Sequence, residues 1–137
     1  MKAARTLRGQ VPANGVERLI VDDGVFTQAW VVTGFEVFSV NGTGPDVQGL
    51  LAFDRDGCTG AWDASDNRQI AWSMMFVGTA AGLVHSWIDP QNVLVRDLFI
   101  ENFSAETLNY LITIERRVLS EDQAIMALIQ ERSQDDL

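Results

Sequence analysis

The sequence predicts one all-β domain, a jelly-roll-like β-sandwich with an extended N-terminal arm and a single C-terminal amphipathic helix. Stretches rich in β-branched and aromatic residues recur about every ten residues, with turn-forming residues between them, as in β-sandwiches. No helical pattern alternates with these stretches, so a parallel sheet covered by helices is not expected. No internal repeat is visible either, which argues against a propeller or a solenoid.

Seven stretches carry the strand signal, and Gly, Asn, Asp and Pro residues mark the turns between them. Gly34 interrupts the longest stretch, which indicates a bulge or bend where the inward face changes over. The predicted strands span residues 16–21, 25–40, 47–53, 67–77, 83–88, 93–101 and 108–119.

Two of these stretches alternate clearly along their length. Successive side chains of a strand point to opposite faces, so the alternation predicts which side chains lie together. In the fourth stretch these are Ile70, Trp72, Met74 and Phe76 on one face, and Ala71, Ser73 and Met75 on the other. In the last stretch Leu108, Tyr110, Ile112 and Ile114 share one side.

Residues 1–15 show no clean periodicity and are predicted to form an extended arm before a sandwich domain of residues 16–119. Lys2, Arg5 and Arg8 lie in residues 1–10, which contain no acidic residue. The rest of the chain holds seven basic and 19 acidic residues, a net charge of −12. We therefore expect the basic arm to contact an acidic neighbour, as part of a subunit interface.

Residues 120–137 are predicted to form a short helix and a tail. Ser120 and Gln123 fit a capping box, in which each side chain bonds the backbone at the other position. Ile125, Leu128 and Ile129 then fall on one apolar stripe. Because a helix of about twelve residues is not stable alone in water, this stripe is expected to dock on the domain or on a partner.

The totals restrict the class of protein. The chain has 137 residues, of which 47% are hydrophobic and 21% charged, an ordinary composition for one globular domain. Cys58 is the single cysteine, so no disulfide within the chain is expected. No run of about 18–20 apolar residues is present, so no membrane contact is expected. The net charge of −9 disfavours nucleic-acid binding, except through the basic arm.

No catalytic signature and no cofactor motif is visible, so the protein is predicted to be non-enzymatic and to need no cofactor. His85 is the only histidine and stands in an ordinary strand pattern, which favours a structural role. Cys58 lies in a polar loop with no local signature of a nucleophile around it.

Carboxylates cluster in the loop that follows the third stretch. Asp54, Asp56 and Asp63 are candidate calcium ligands, although the EF-hand spacing is not met and an Asp/Gly turn needs no metal. Trp62 lies in the same loop and is expected to face outward. One function that these residues suit is sugar binding by a β-sandwich of the viral-fibre or adhesin type. Trp62 would stack on the sugar, and the carboxylates would accept hydrogen bonds from its hydroxyl groups. This is the alternative to the structural role that the next paragraph describes. Core or interface packing is predicted for the other tryptophans, Trp30, Trp72 and Trp87.

The last third of the chain resembles small virion structural proteins of environmental, especially marine, viruses and phages. The segments that carry the resemblance are IDP (88–90), VLVRDLFI (93–100), NYLI (109–112), DQAI (122–125), ERSQDD (131–136) and the earlier RLIVDDG (18–24). The resemblance implies a capsid or capsid-associated subunit that is assembled in the host cytoplasm. Its expected partners are other copies of itself and further virion proteins. The resemblance assigns no contact residues; the basic charge of the arm (Lys2, Arg5, Arg8) and the apolar stripe of the helix (Ile125, Leu128, Ile129) are the reasons to expect the contacts there.

Overall fold

The computed structural model describes residues 4–21, 28–40, 46–77, 82–93 and 97–118. Eight strands and one short 3-10 turn, Arg55–Gly57, form the regular structure of these residues. The strands are β1 (Ala4–Val11), β2 (Val16–Ile20), β3 (Gln28–Ser39), β4 (Val47–Ala52), β5 (Gln69–Val77), β6 (Gly82–Ile88), β7 (Asp97–Asn102) and β8 (Leu108–Val118). Strands β2 to β8 each overlap one predicted stretch, which confirms the all-β prediction.

The strands form two antiparallel sheets arranged as a β-sandwich. The three-stranded sheet has the order β1-β8-β3, and the five-stranded sheet has the order β2-β7-β4-β5-β6. The pairing is nested along the chain, because β1 pairs with β8, β2 with β7, and β4 with β5. Strand β3 also contacts β5 and β6 of the other sheet.

The core lies between the sheets, and β8 contributes alternate residues to it. Leu108, Tyr110, Ile112 and Ile114 of β8 are all buried in it, as the alternation predicts. Strand β4 differs, because Gly49, Leu50, Leu51 and Ala52 are all buried, so both of its faces are covered.

Gly34 marks the predicted irregularity in β3. The register of β3 against β8 shifts between Val32 and Gly34, which confirms the predicted bulge. Val32 and Phe35 are three residues apart and both buried, which regular alternation does not allow. The extra residue thus lets the strand keep apolar side chains inward on both sides of the bulge.

Strand β5 buries one predicted face and, in addition, Ile70, which was predicted to lie with Trp72 on the other face but is 1% exposed in the core. The register of β4 against β5 shifts at this end of the strand, between Leu51 and Ala52, so the alternation is broken there. Ala71, Ser73 and Met75 are buried between the sheets. Trp72 is half-buried, and Phe76 is 45% exposed on the outer face. The aromatic residues of β5 are therefore on the outside.

The predicted arm is extended, but most of it belongs to a sheet. Residues Ala4 to Val11 form β1, which pairs with β8 from Ala4 opposite Glu115 to Val11 opposite Leu108. Val11 is fully buried, and Leu7 packs against the core. The boundary predicted at residue 15 therefore has to be corrected, since the sandwich already begins with β1. The strand signal is weak because only two of its eight side chains reach the core.

Part of the predicted interface lies outside the described residues. This holds for Lys2 and for the helix of residues 120–137 with its stripe of Ile125, Leu128 and Ile129. In the part of the chain that the structure describes, no helix has the length and apolar character needed to cross a membrane.

Candidate functional site

Three tryptophans surround a cleft on the outer face of the five-stranded sheet. The cleft has a volume of about 440 Å³ and is lined by Trp62, Ala64, Trp72 and Trp87. Trp72 on β5 and Trp87 on β6 are direct cross-strand partners. Trp62 and Ala64 come from the loop of residues 53–68, which joins β4 to β5. We call this feature the tryptophan cleft.

The rings around the cleft hold one another in two edge-to-face contacts and one stacked contact. The Trp62 and Trp87 ring centroids are 5.8 Å apart at an angle of 68°. On its other side Trp62 meets Phe103 at 6.1 Å and 89°. His85 stacks on Trp87 at 5.6 Å and 18°. Such contacts stabilise each pair by roughly 0.5–1.5 kcal/mol beyond area burial, so they favour fixed ring positions.

A buried amide, Gln69, joins the loop to the sheet. Its Oε1 accepts hydrogen bonds from the Trp72 indole Nε1 and from the Asp63 backbone N–H, both at 2.8 Å. Its Nε2 donates to the backbone carbonyls of Gly57 and Ala61, both at 3.0 Å. Gln69 is 3% exposed, and both of its N–H donors and its acceptor are used, as a buried amide requires.

Two further bonds hold the loop down. The Trp62 indole Nε1 donates to the carbonyl of Gly49 on β4 at 3.2 Å. The Gly60 backbone N–H donates to Oε1 of the buried Glu101 on β7 at 2.8 Å. With Trp72 bonded to Gln69, the indole N–H groups of two of the three cleft tryptophans are therefore engaged inside the protein. What these two side chains offer to a ligand is their aromatic surface.

The loop carboxylates take part in turns of the loop. Asp54 Oδ1 accepts from the backbone N–H of Asp56, and Asp63 Oδ1 accepts from both the backbone N–H and the hydroxyl of Ser65. Asp54 Oδ2 is buried without a hydrogen-bond partner. Among the described residues, no group of three or more His, Cys, Asp or Glu side chains is placed to hold a metal ion. The structure thus does not bring Asp54, Asp56 and Asp63 together as the predicted calcium site.

Cys58 lies in the same loop and is a poor nucleophile. Burial, with a smaller contribution from the charge of Glu101, raises the pKa of its thiol from 9.0 to about 12. The thiol is therefore protonated at neutral pH, whereas the thiolate is the reactive form. The only histidine, His85, is exposed, and its ring packs on that of Trp87.

Arg5, predicted to contact a neighbouring subunit, packs on its own domain. Its guanidinium lies 5.4 Å from the ring centroid of Trp30, and that of Arg116 lies 5.5 Å from the same ring. Trp30 is 2% exposed and belongs to the core, one of the two settings predicted for it. The two cations cover it at one end of the sandwich.

Arg8, in contrast, is exposed on the outer face of the three-stranded sheet. It lies opposite Leu111 of β8, and Leu111 lies opposite Glu36 of β3, so the three residues form one row across the sheet. Leu111 is 37% exposed, and nearby Phe38 is 42% exposed. The ion pairs between described residues do not include Arg8 or Glu36. We call the three residues of this row, together with neighbouring Phe38, the outer row.

Sequence reasoning found Trp62 and Arg8 but missed their partners on these surfaces. Trp72 and Trp87 were expected in a core or interface, because the sequence does not say which face of β5 and β6 is covered. Glu36 and Leu111 were not singled out. Leu111 could have been found, since it is an apolar residue on the face of β8 opposite to Tyr110 and Ile112.

No protein-family model matches the sequence, and no curated protein is significantly similar to it. What the protein does is therefore inferred from its fold and from the two surfaces described above.

Proposed function

We propose that the protein is a non-enzymatic structural subunit of a virus particle, a capsid or capsid-associated protein that assembles with copies of itself. The nested strand pairing is the observation that carries this proposal. A jelly roll arises when the first strand pairs with the eighth, the second with the seventh, the third with the sixth, and the fourth with the fifth. Three of these pairs are hydrogen-bonded in this chain, and β3 contacts β6.

This strand arrangement favours a structural role. Jelly rolls are used repeatedly as viral capsid domains and as lectin domains. Such a fold-level analogy narrows the function without fixing it, so a suitable assembly surface is also needed. The resemblance of the last third of the chain to virion proteins points to the capsid alternative.

The outer row supplies a self-complementary surface. Arg8 and Glu36 lie on either side of Leu111 in one row, at the two flanking strands of the sheet. A two-fold axis along β8 that passes Leu111 would place Arg8 of one copy opposite Glu36 of the other, twice. The same axis would bring the two Leu111 side chains together. A two-fold contact requires this kind of self-complementarity, because the same patch must face itself.

The contact is expected to be weak when only two copies meet. Exposed ion pairs contribute about 0–1 kcal/mol each, and salt screens them. Phe38 and Leu111 add a modest apolar area, because each is already more than half covered within its own domain. In a closed particle many copies repeat each contact, so a weak pairwise interaction is sufficient.

A charge exchange tests the contact. The mass in solution is measured by light scattering, over a range of concentrations and at low salt, for the full chain and for Arg8→Glu, Glu36→Arg and the double variant. The average mass of the wild type should rise with concentration, each single variant should reduce that rise, and the double variant should restore it. Arg55→Glu and Glu106→Arg change exposed charges elsewhere and should leave the mass unchanged.

The outcomes separate the two parts of the proposal. A wild type that stays monomeric at every concentration would remove the support for a self-assembling subunit. A multimer that survives both single variants would keep self-assembly but reject the outer row as its contact.

A further inference from the structure

The tryptophan cleft is built from three separate segments of the chain, yet its walls are almost entirely aromatic. Trp72 and Trp87 come from a β-hairpin, and Trp62 comes from the loop laid over it. Trp87 is 49% exposed at the cleft. We infer that the tryptophan cleft binds a carbohydrate by stacking its indole rings on a pyranose ring. This inference is independent of the outer row and of self-assembly.

The cleft is organised before any ligand arrives. The Trp72 indole N–H donates to the side-chain oxygen of Gln69, and the Trp62 indole N–H donates to the backbone carbonyl of Gly49, so both rings are held in place. Trp87 is held between Trp62 and His85. A site whose side chains are already ordered loses little rotamer entropy on binding, which otherwise costs roughly 0.5–1.5 kcal/mol for each side chain immobilised.

The chemistry of the walls matches a sugar ring. The face of an indole is the negative side of its quadrupole. A pyranose presents a face of C–H bonds that carry a partial positive charge, and this face packs on an aromatic ring. No charged side chain is among the four residues that line the cleft. A charged ligand therefore has no counter-ion in the cleft, whereas a neutral one needs none.

Polar groups at the margin suit the hydroxyl groups of a sugar. Asp63 is exposed and follows Trp62 in the loop, and its backbone is held by Gln69; its Oδ1 accepts from Ser65, so Oδ2 is the oxygen left for a hydroxyl group. His85 is exposed and stacked on Trp87, so its ring nitrogens adjoin the same aromatic wall. A few fixed polar groups beside an apolar surface are the usual composition of a small-ligand site. Of the carboxylates first predicted to serve a sugar, Asp63 is the one retained here.

The size of the cleft favours a small ligand over a protein. A volume of about 440 Å³ lies in the range of about 300–1,000 Å³ that is usual for such sites. A stable protein interface takes about 20–30 residues from each side, whereas four residues line this cleft.

Tryptophan fluorescence provides the test. The full chain is titrated with chitotriose, cellotriose and a galactose trisaccharide, and with sorbitol as a polyol that lacks a ring. At least one trisaccharide should give a saturable change in intensity or wavelength, and sorbitol should give none. Trp87→Ala should weaken that binding by about tenfold or more, since it removes the most open wall.

Phe76→Ala is the matched control. Phe76 is 45% exposed on the same face of β5 but does not line the cleft, so its loss should leave sugar affinity unchanged. Repeating the titration on Arg8→Glu keeps this test separate from the assembly proposal. The inference is overturned if no trisaccharide gives saturable binding, if both alanine variants lose affinity equally, or if Trp87→Ala abolishes self-association, which would make the cleft a protein contact.

Discussion

Replacing Gln69 by alanine should loosen the loop of residues 53–68 and destabilise the whole domain. The substitution removes four hydrogen bonds of 2.8–3.0 Å, of which three tie this loop to β5 and one, from the Trp72 indole N–H, lies within β5. Asp63 and Ala61 are exposed, so water can replace their lost partner. The carbonyl of buried Gly57 and the indole N–H of half-buried Trp72 are harder to solvate.

The magnitude follows from those two groups. A buried polar group left without a partner costs about 1–3 kcal/mol. The half-buried Trp72 indole lies at the low end of this range, about 1 kcal/mol, and the buried Gly57 carbonyl can take any value in it. We therefore expect the free energy of unfolding to fall by about 2–4 kcal/mol, or roughly 8–16 °C in Tm at about 4 °C per kcal/mol. A domain of this size has a stability of about 5–15 kcal/mol, so the variant should still fold.

Urea denaturation followed by circular dichroism measures the loss of stability, and trypsin digestion reports on the loop. Arg55 lies exposed in this loop, so cleavage there should become faster in Gln69→Ala than in the wild type. Gln91→Ala is the control, because Gln91 is exposed and only its backbone N–H is bonded, to Asp89. An unfolding free energy within about 0.5 kcal/mol of the wild type, with unchanged cleavage, would refute the role assigned to Gln69.

Two further predictions concern buried groups. Burial raises the pKa of Cys58 from 9.0 to about 12, so its thiol should resist iodoacetamide at pH 9 in the folded protein and react readily in urea. Fast labelling of the native chain would contradict this prediction. The folded state favours the protonated thiol, so stability should fall as the pH rises from 9.0 towards about 12, and Cys58→Ala should reduce that fall in pH-dependent denaturation. Ser73 accepts a hydrogen bond from the Val37 backbone N–H of the opposite sheet at 3.1 Å, so Ser73→Ala should lower the free energy of unfolding in urea by about 1–3 kcal/mol. Ser86→Ala is the control, because exposed Ser86 is hydrogen-bonded to the Ser73 hydroxyl and its loss leaves the bond from Val37 in place. An equal loss of stability in the two variants would count against the bond to Val37.

The strands from β2 onward could be predicted because their local signals agree. Alternation in β8 gives the buried face directly, and Gly34 marks the point where β3 changes its inward face. Strand β1 was missed as a strand for the opposite reason. It is an edge strand with one neighbour, β8, and most of its side chains are exposed. Its extended conformation depends on pairing with a segment about a hundred residues away, which local patterns do not report.

The tryptophan cleft could be predicted only in part, because its geometry comes from long-range polar contacts. A glutamine at the start of a strand has no sequence feature that marks it as a buried hub, and the partners of Gln69 lie up to 12 residues away. The buried Asn102 is similar, since its Nδ2 donates to the carbonyl of Val11 from the opposite sheet. Which face of β5 is covered likewise depends on the position of the other sheet. Sequence alternation can sort residues into two faces, but it cannot say which face becomes the core.

The two proposed surfaces lie on opposite sides of the sandwich, and this arrangement has a consequence for how they could work together. The outer row belongs to the outer face of the three-stranded sheet, and the tryptophan cleft to the outer face of the five-stranded sheet. If two copies associate through their three-stranded sheets, each cleft stays on the outside of the pair and remains open to a ligand. Sheets pack about 10 Å apart, and residues separated by more than about 7–10 Å without shared partners contribute nearly independently. A substitution such as Arg8→Glu therefore leaves the walls of the cleft intact. A subunit built this way can hold its neighbours with one sheet and present a sugar-binding surface with the other.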